Sequence, residues 1–103
     1  MAILKITKEN FESEVMNSDK PVMVDFFATW CGPCKMLHPV VEALSNEVTD
    51  VKIGELDIDE QIELAEKYRI MTVPSLVLFK NGEAVDKLVG VQSKGKVLEF
   101  IHQ

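Results

Sequence analysis

The run Val22-Met23-Val24-Asp25-Phe26-Phe27 is apolar at every position but one. A strand with one face in water alternates apolar and polar side chains. A strand apolar on both sides needs cover on both sides. The run therefore predicts a central strand with helices packed above and below it, an α/β layering. The chain has 103 residues, 47% of them hydrophobic. That suffices for one core and leaves no room for a second. Residues 1–103 are expected to form a single domain.

Directly after this strand stands Trp30-Cys31-Gly32-Pro33-Cys34-Lys35, which contains the only two cysteines. A helical pattern follows, with Met36, Leu37, Val40, Val41, Leu44 and Val48 on one side. The spacing predicts a helix over 32–48 with a dithiol on its first turn. Pro39 inside it removes one hydrogen bond and predicts a kink. Three helical residues advance about 4.5 Å, within the roughly 4.4–6.8 Å between Cα atoms that a disulfide tolerates. The ring is small and removes little loop entropy. Such a bond, exposed at a helix tip, suits opening and closing better than stapling. Free N–H groups and the positive end of the helix dipole favour a thiolate at Cys31. Cys34, one turn deeper, is expected to be more shielded. Cys31 is then the attacking nucleophile and Cys34 the resolving thiol. Gly32 lets another backbone approach. Pro33 is tolerated where its missing N–H would be unpaired anyway. Lys35 either adds positive charge near the sulfurs or is an ordinary solvated residue. Two inert buried cysteines are the plainer alternative, but Cys-x-x-Cys beside a βαβ pattern is a redox signature.

With its preceding Val24-Asp25-Phe26-Phe27-Ala28, this motif resembles the thioredoxin family, and the resemblance runs the length of the chain. It implies a thioredoxin fold and a thiol–disulfide oxidoreductase that reduces protein disulfides. It implies a buried aspartate at Asp25 and an apolar docking lip at Trp30. A Val-Pro bond is cis in only about one case in twenty. The family's cis proline nevertheless falls at Pro74, in Thr72-Val73-Pro74-Ser75, facing the dithiol. There Val73 offers its backbone to an extended substrate, as in strand addition. Gly90-Val91 matches a loop that lines the substrate groove. The resemblance further implies that the Cys31–Cys34 disulfide is recycled by a thioredoxin reductase, usually a flavoprotein drawing on NADPH. No bound cofactor and no metal are expected. Three positions depart from the pattern. Phe27 stands where a tryptophan is common, His38 where a small or apolar residue is usual, and Glu55 where many bacterial members carry lysine.

Those departures matter because ionisable groups are costly inside a core. Burial should raise the pKa of Asp25. Either local hydrogen bonds satisfy it, or it is the acid–base that takes the Cys34 proton. If Glu55 points at Asp25, two carboxylates share a poorly hydrated site and one is raised further. The alternative is that Glu55 reaches out to solvent. His38 follows Cys34 by four residues. A closed zinc site needs four ligands, and the only other histidine is His102. His38 is therefore read as a surface helix residue, with tuning of Cys34 as the second reading.

The remaining elements follow from pattern. Residues 3–6 read as a strand, and Thr7 as the cap of a helix to Asn17 with Phe11 and Val15 inward. Residues 51–58 form a strand. Asp57-Ile58-Asp59-Glu60 is read as a solvated acidic cap to a helix over 60–68, with Ile62, Ala65 and Tyr68 inward. Residues 76–79 and 85–89 form a hairpin across Asn81-Gly82. Ser93 caps a last helix to Ile101. The order β-α-β-α-β-α-β-β-α gives a central mixed five-stranded sheet flanked by four helices.

The net charge is −6 with no basic stripe, which argues against nucleic acid and anionic membranes as partners. The N-terminus lacks an apolar core of signal-peptide length, and no run approaches the ~20 residues of a membrane span. A monomer in a reducing cytoplasm is expected, where a disulfide is transient and catalytic. The expected partners are thioredoxin reductase and disulfide-containing client proteins. A non-catalytic binding module is the alternative from another class. A net oxidant or isomerase is the alternative among enzymes, disfavoured by the Gly-Pro pair between the cysteines.

Overall fold

The computed structural model describes residues 3–103. Five strands, β1 (Leu4–Lys5), β2 (Val22–Phe27), β3 (Lys52–Asp57), β4 (Ser75–Lys80) and β5 (Glu83–Val89), form one sheet in the order β1-β3-β2-β4-β5. β1, β3 and β2 run parallel, and β4 is antiparallel to both β2 and β5. The helical segments are α1 (Glu12–Met16), α2 (Gly32–Glu47), α3 (Ile62–Lys67) and α4 (Lys94–Ile101). The expected architecture and element order are therefore present.

Alternation along β2 divides the core in two. Met23 packs with Leu37, Val41 and Leu44 of α2, Ile53, Leu76, Leu78, and Val97 and Phe100 of α4. Val22, Val24 and Phe26 pack on the other face with Phe11, Val15, Leu56, Val77 and Phe79. This double cover is why β2 tolerates no alternation. Asp25 falls on the same side as Met23, towards α2. Among the described residues it is the only ionisable one of three buried polar residues, with Ser45 and Ser75. Pro39 lies inside α2. The hairpin turn has φ of 53° at Asn81 and 80° at Gly82, the two left-handed residues of a type I′ turn. Ser93 caps α4 by accepting the Lys96 N–H at 3.2 Å.

Three expectations for the helices fail. Met36, placed with the apolar stripe of α2 facing the core, is 68% exposed. Thr7 does not cap a long first helix. Instead the Asn10 side chain accepts the Thr7 N–H at 2.7 Å and donates to the Lys5 carbonyl at 2.8 Å. The segment after this turn is short and wide, closed by Asn17 N–H onto the Glu12 carbonyl at 2.9 Å, an i→i+5 bond. Phe11 and Val15 still reach the core. Ile62 does not face inward; it is 58% exposed. The helix opens at this residue, and Ala65, Leu64 and Tyr68 supply its packed side. Among the described residues no helix is long and apolar enough to cross a membrane.

Candidate active site

β2 ends at Phe27 and the chain turns through Ala28, Thr29 and Trp30 before α2 begins. Cys31 is the N-cap of α2, in extended backbone, and its sulfur accepts the Cys34 N–H at 3.1 Å. Pro33 sits in the first turn. The two cysteines form a disulfide with Cα atoms 5.3 Å apart, within the range the spacing predicts. A donor N–H and the helix dipole converge on the Cys31 sulfur. Lys35 is exposed, and its N–H meets the Cys31 carbonyl at 3.3 Å.

The disulfide is not exposed, and Cys34 is no deeper than Cys31: each is 4% exposed. Both pack with Ala28, against Phe27, Ile58 and Val73. What separates the sulfurs is the cleft each one lines.

The front cleft, about 430 Å³, is lined by Trp30, Cys31, Gly32, Pro33, Ile58, Ile70, Met71, Thr72 and Val73. It is apolar. Met71 is 91% exposed and Trp30 68% exposed, an unusual display of large apolar side chains at one place. Trp30 is held by its indole N–H, which donates to Asp59 at 2.8 Å. Asp59, read from sequence as part of a solvated cap, thus fixes the lip. The Val73–Pro74 bond is cis, and the Val73 carbonyl oxygen lies 3.6 Å from the Cys31 sulfur. Pro74, Gly90 and Val91 do not line this cleft. Gly90 N–H donates to the Pro74 carbonyl at 2.9 Å, which ties that loop to it, and Val91 is 44% exposed beyond.

The rear cleft, about 370 Å³, is lined by Asp25, Phe27, Ala28, Thr29, Cys34, Lys35, His38 and Glu55. Asp25 is 2% exposed, and among the described residues its Oδ1 is a buried oxygen with no hydrogen-bond partner. Its pKa is pushed up to about 7, first by burial and then by the negative charge of Glu55. Asp25 and Glu55 are in-register neighbours on parallel strands, so their side chains emerge on one face. The reading in which local hydrogen bonds satisfy Asp25 does not fit. His38 is exposed on the helix surface, as expected, and it also lines this cleft, with Nδ1 3.7 Å from a Glu55 oxygen. Its i+4 spacing from Cys34 was the available signal. Among the described residues no three His, Cys, Asp or Glu side chains gather as a metal-binding group.

Comparison with known proteins agrees with this geometry. The family model described as Thioredoxin matches residues 2–103. The chain is 46% identical over 99 residues to a thioredoxin of Rickettsia prowazekii, covering 95% of this chain and 94% of that one. It is 44% identical over 98 residues to a thioredoxin of Mycobacterium tuberculosis, covering 94% and 84%. The crystal structure of Malassezia sympodialis thioredoxin superposes with a TM-score of 0.89 at 38% identity, covering 98% of this chain and 89% of that one.

Proposed function

The chain belongs to the thioredoxin family and is a thiol–disulfide oxidoreductase, and from that premise we propose a residue-level route for protein disulfide reduction. The Cys31 thiolate attacks one sulfur of a client disulfide from the front cleft. A Cys31–client bond forms, and the client's other sulfur leaves as thiolate. Asp25, as carboxylate, takes the Cys34 proton in the rear cleft. The Cys34 thiolate then attacks the Cys31 sulfur. The Cys31–Cys34 bond forms, the Cys31–client bond breaks, and the second client sulfur leaves as thiolate. Two electrons have passed to the client, and Asp25 holds one proton to return.

The observation that carries this reading is the position of the Cys31–Cys34 disulfide. One sulfur opens onto an apolar groove and the other onto an ionisable cleft. A base with a pKa near neutrality is suited to moving one proton each way. Trp30, Thr72 and Val73 would bind an extended client segment, with Pro74, Gly90 and Val91 framing its far side. Gly32 and Pro33 shape the motif, and Lys35 and Glu55 tune its charge.

A thioredoxin reductase is the proposed electron donor, by family likeness. We read residues 1–103 as one thioredoxin domain acting as a monomer in the cytoplasm. The family match over nearly all of the chain and its acidic charge support this. The domain's own disulfide serves in place of a bound cofactor. The decisive experiment is Cys34→Ser as bait: Cys31 should hold client proteins as stable mixed disulfides that dithiothreitol releases. An empty bait, or wild-type protein that fails to reduce insulin with dithiothreitol, overturns the reading.

A further inference from the structure

The rear cleft contains three more ionisable side chains than the steps of the proposed route use, and His38 alone among them has been given no part. Four groups that carry or exchange protons line it besides Asp25: Cys34, Lys35 and His38 from α2, and Glu55 from β3. β4 presents only Leu76 beside Asp25 on that face, and α4 contributes apolar Val97 and Phe100 to the adjoining core. Glu55 therefore supplies the negative charge closest in register to Asp25. Its side chain is 27% exposed, so it sits at the boundary between the cleft and water. Across the mouth stands His38, 46% exposed, at ion-pair distance from a Glu55 oxygen. Lys35, three residues earlier on α2, has an exposed side chain, and Lys5, the in-register neighbour of Glu55 on β1, is exposed and lies 3.6 Å from a Glu60 oxygen.

Two negative groups in a poorly hydrated space repel strongly, and the repulsion depends on where the second one points. A Glu55 drawn outward to a cation opposes ionisation of Asp25 less than a Glu55 free to turn inward. We propose that His38 is a positioning residue for the acid–base step, holding the Glu55 carboxylate at the cleft mouth so that Asp25 can ionise between turnovers. This rests on the role given to Asp25 above. In this role His38 acts through Glu55 and not on the sulfurs or the client.

The test follows the Asp25 carboxyl by carbon-13 NMR across pH 5–10 in reduced protein, alongside the pH profile of single-turnover disulfide reduction. His38→Ala should move the Asp25 midpoint up by about half a pH unit, an exposed pair being worth little more than that. The kinetic profile should move with it. Glu55→Gln should move the midpoint down, and His38→Ala/Glu55→Gln should match Glu55→Gln alone. His38→Lys places a cation here throughout the range in which Asp25 titrates and should restore the wild-type midpoint or lower it. A midpoint unmoved by His38→Ala overturns the proposal, as does an equal shift with and without Glu55. If instead Asp25→Asn left the resolving step unchanged, the route itself would fail. The two failures are therefore distinguishable.

Discussion

The two clefts on either side of the disulfide are alike in size and opposite in chemistry. The front one, about 430 Å³, is bounded by Trp30, Ile58, Ile70, Met71 and Val73. The rear one, about 370 Å³, is bounded by Asp25, Lys35, His38 and Glu55. One bond separates them, and its two ends are equally buried. The lesson is that depth does not distinguish attacking from resolving sulfur here; surroundings do. In the proposed route, apolar walls in front let a client strand shed water and settle against Cys31, and ionisable walls behind let a proton enter and leave without passing through the client. Recognition and proton handling can then be altered separately, and substitutions that violate this separation would break the comparison.

The largest effect is expected from Asp25→Asn. Losing the base should slow the resolving step by about 10²-fold near neutral pH, while the first attack by Cys31 changes only slightly. Single-turnover kinetics with trapped intermediates reads both. Stability should change as well, and the sign follows from proton counting. Asp25 ordinarily ionises near 3.8, but in the folded protein near 7. Between these values the folded chain holds a proton that the unfolded chain has released, so stability falls as pH rises. The fall amounts to about 4 kcal/mol, complete above the folded value. Asn at this position should remove it: no gain near pH 3, and the full gain in urea melts above pH 8. A gain independent of pH would mean that Asp25 is destabilising for reasons other than its charge.

A smaller effect is expected in front. Trp30→Ala removes a large apolar side chain and its bond to Asp59. It should raise KM for protein disulfides by about 10-fold, as for one anchor of moderate weight. The kcat and its pH dependence should stay put, because nothing behind the disulfide has changed. A small soluble disulfide, with no strand to dock, should be reduced at the wild-type rate. A shifted pH profile in this variant would show that the clefts communicate.

How much of this was legible in the sequence depended on range. The β2 run, the Asn81-Gly82 hairpin and the Ser93 cap each carry their cause within a few residues, and each was read correctly. The dithiol was legible for the same reason, and the cis Pro74 through likeness to a family. Contacts between distant residues were not. Trp30 and Asp59 are 29 residues apart, and no local pattern announces that a cap carboxylate will hold an indole. His38 and Glu55 meet only because α2 crosses over β3. Gly54 passed unnoticed because its reason lies on another strand: a Cβ there would come within 2.7 Å of the Ile6 side chain. The first helix failed for a different reason. Thr7 and Asn10 are both good capping residues, and the side chain that reached the backbone was that of Asn10.

Lys35 tests the comparison most finely, since its backbone starts the helix at Cys31 while its side chain lines the rear cleft. If charge in the rear serves only Asp25, Lys35→Gln should leave alkylation of Cys31 alone. If Lys35 assists the nucleophile, its loss should slow iodoacetamide alkylation of reduced Cys31 at pH 7. The expected change is about two-fold at low salt, because an exposed charge is worth a few tenths of a kcal/mol. It should vanish at about 1 M salt, where screening reaches within about 3 Å. The helix dipole and the Cys34 N–H, both fixed in the backbone, should keep most of the reactivity in either salt. A loss of ten-fold or more that survives high salt would transfer the activation of Cys31 from the helix to this one side chain, and the division between the clefts would no longer hold.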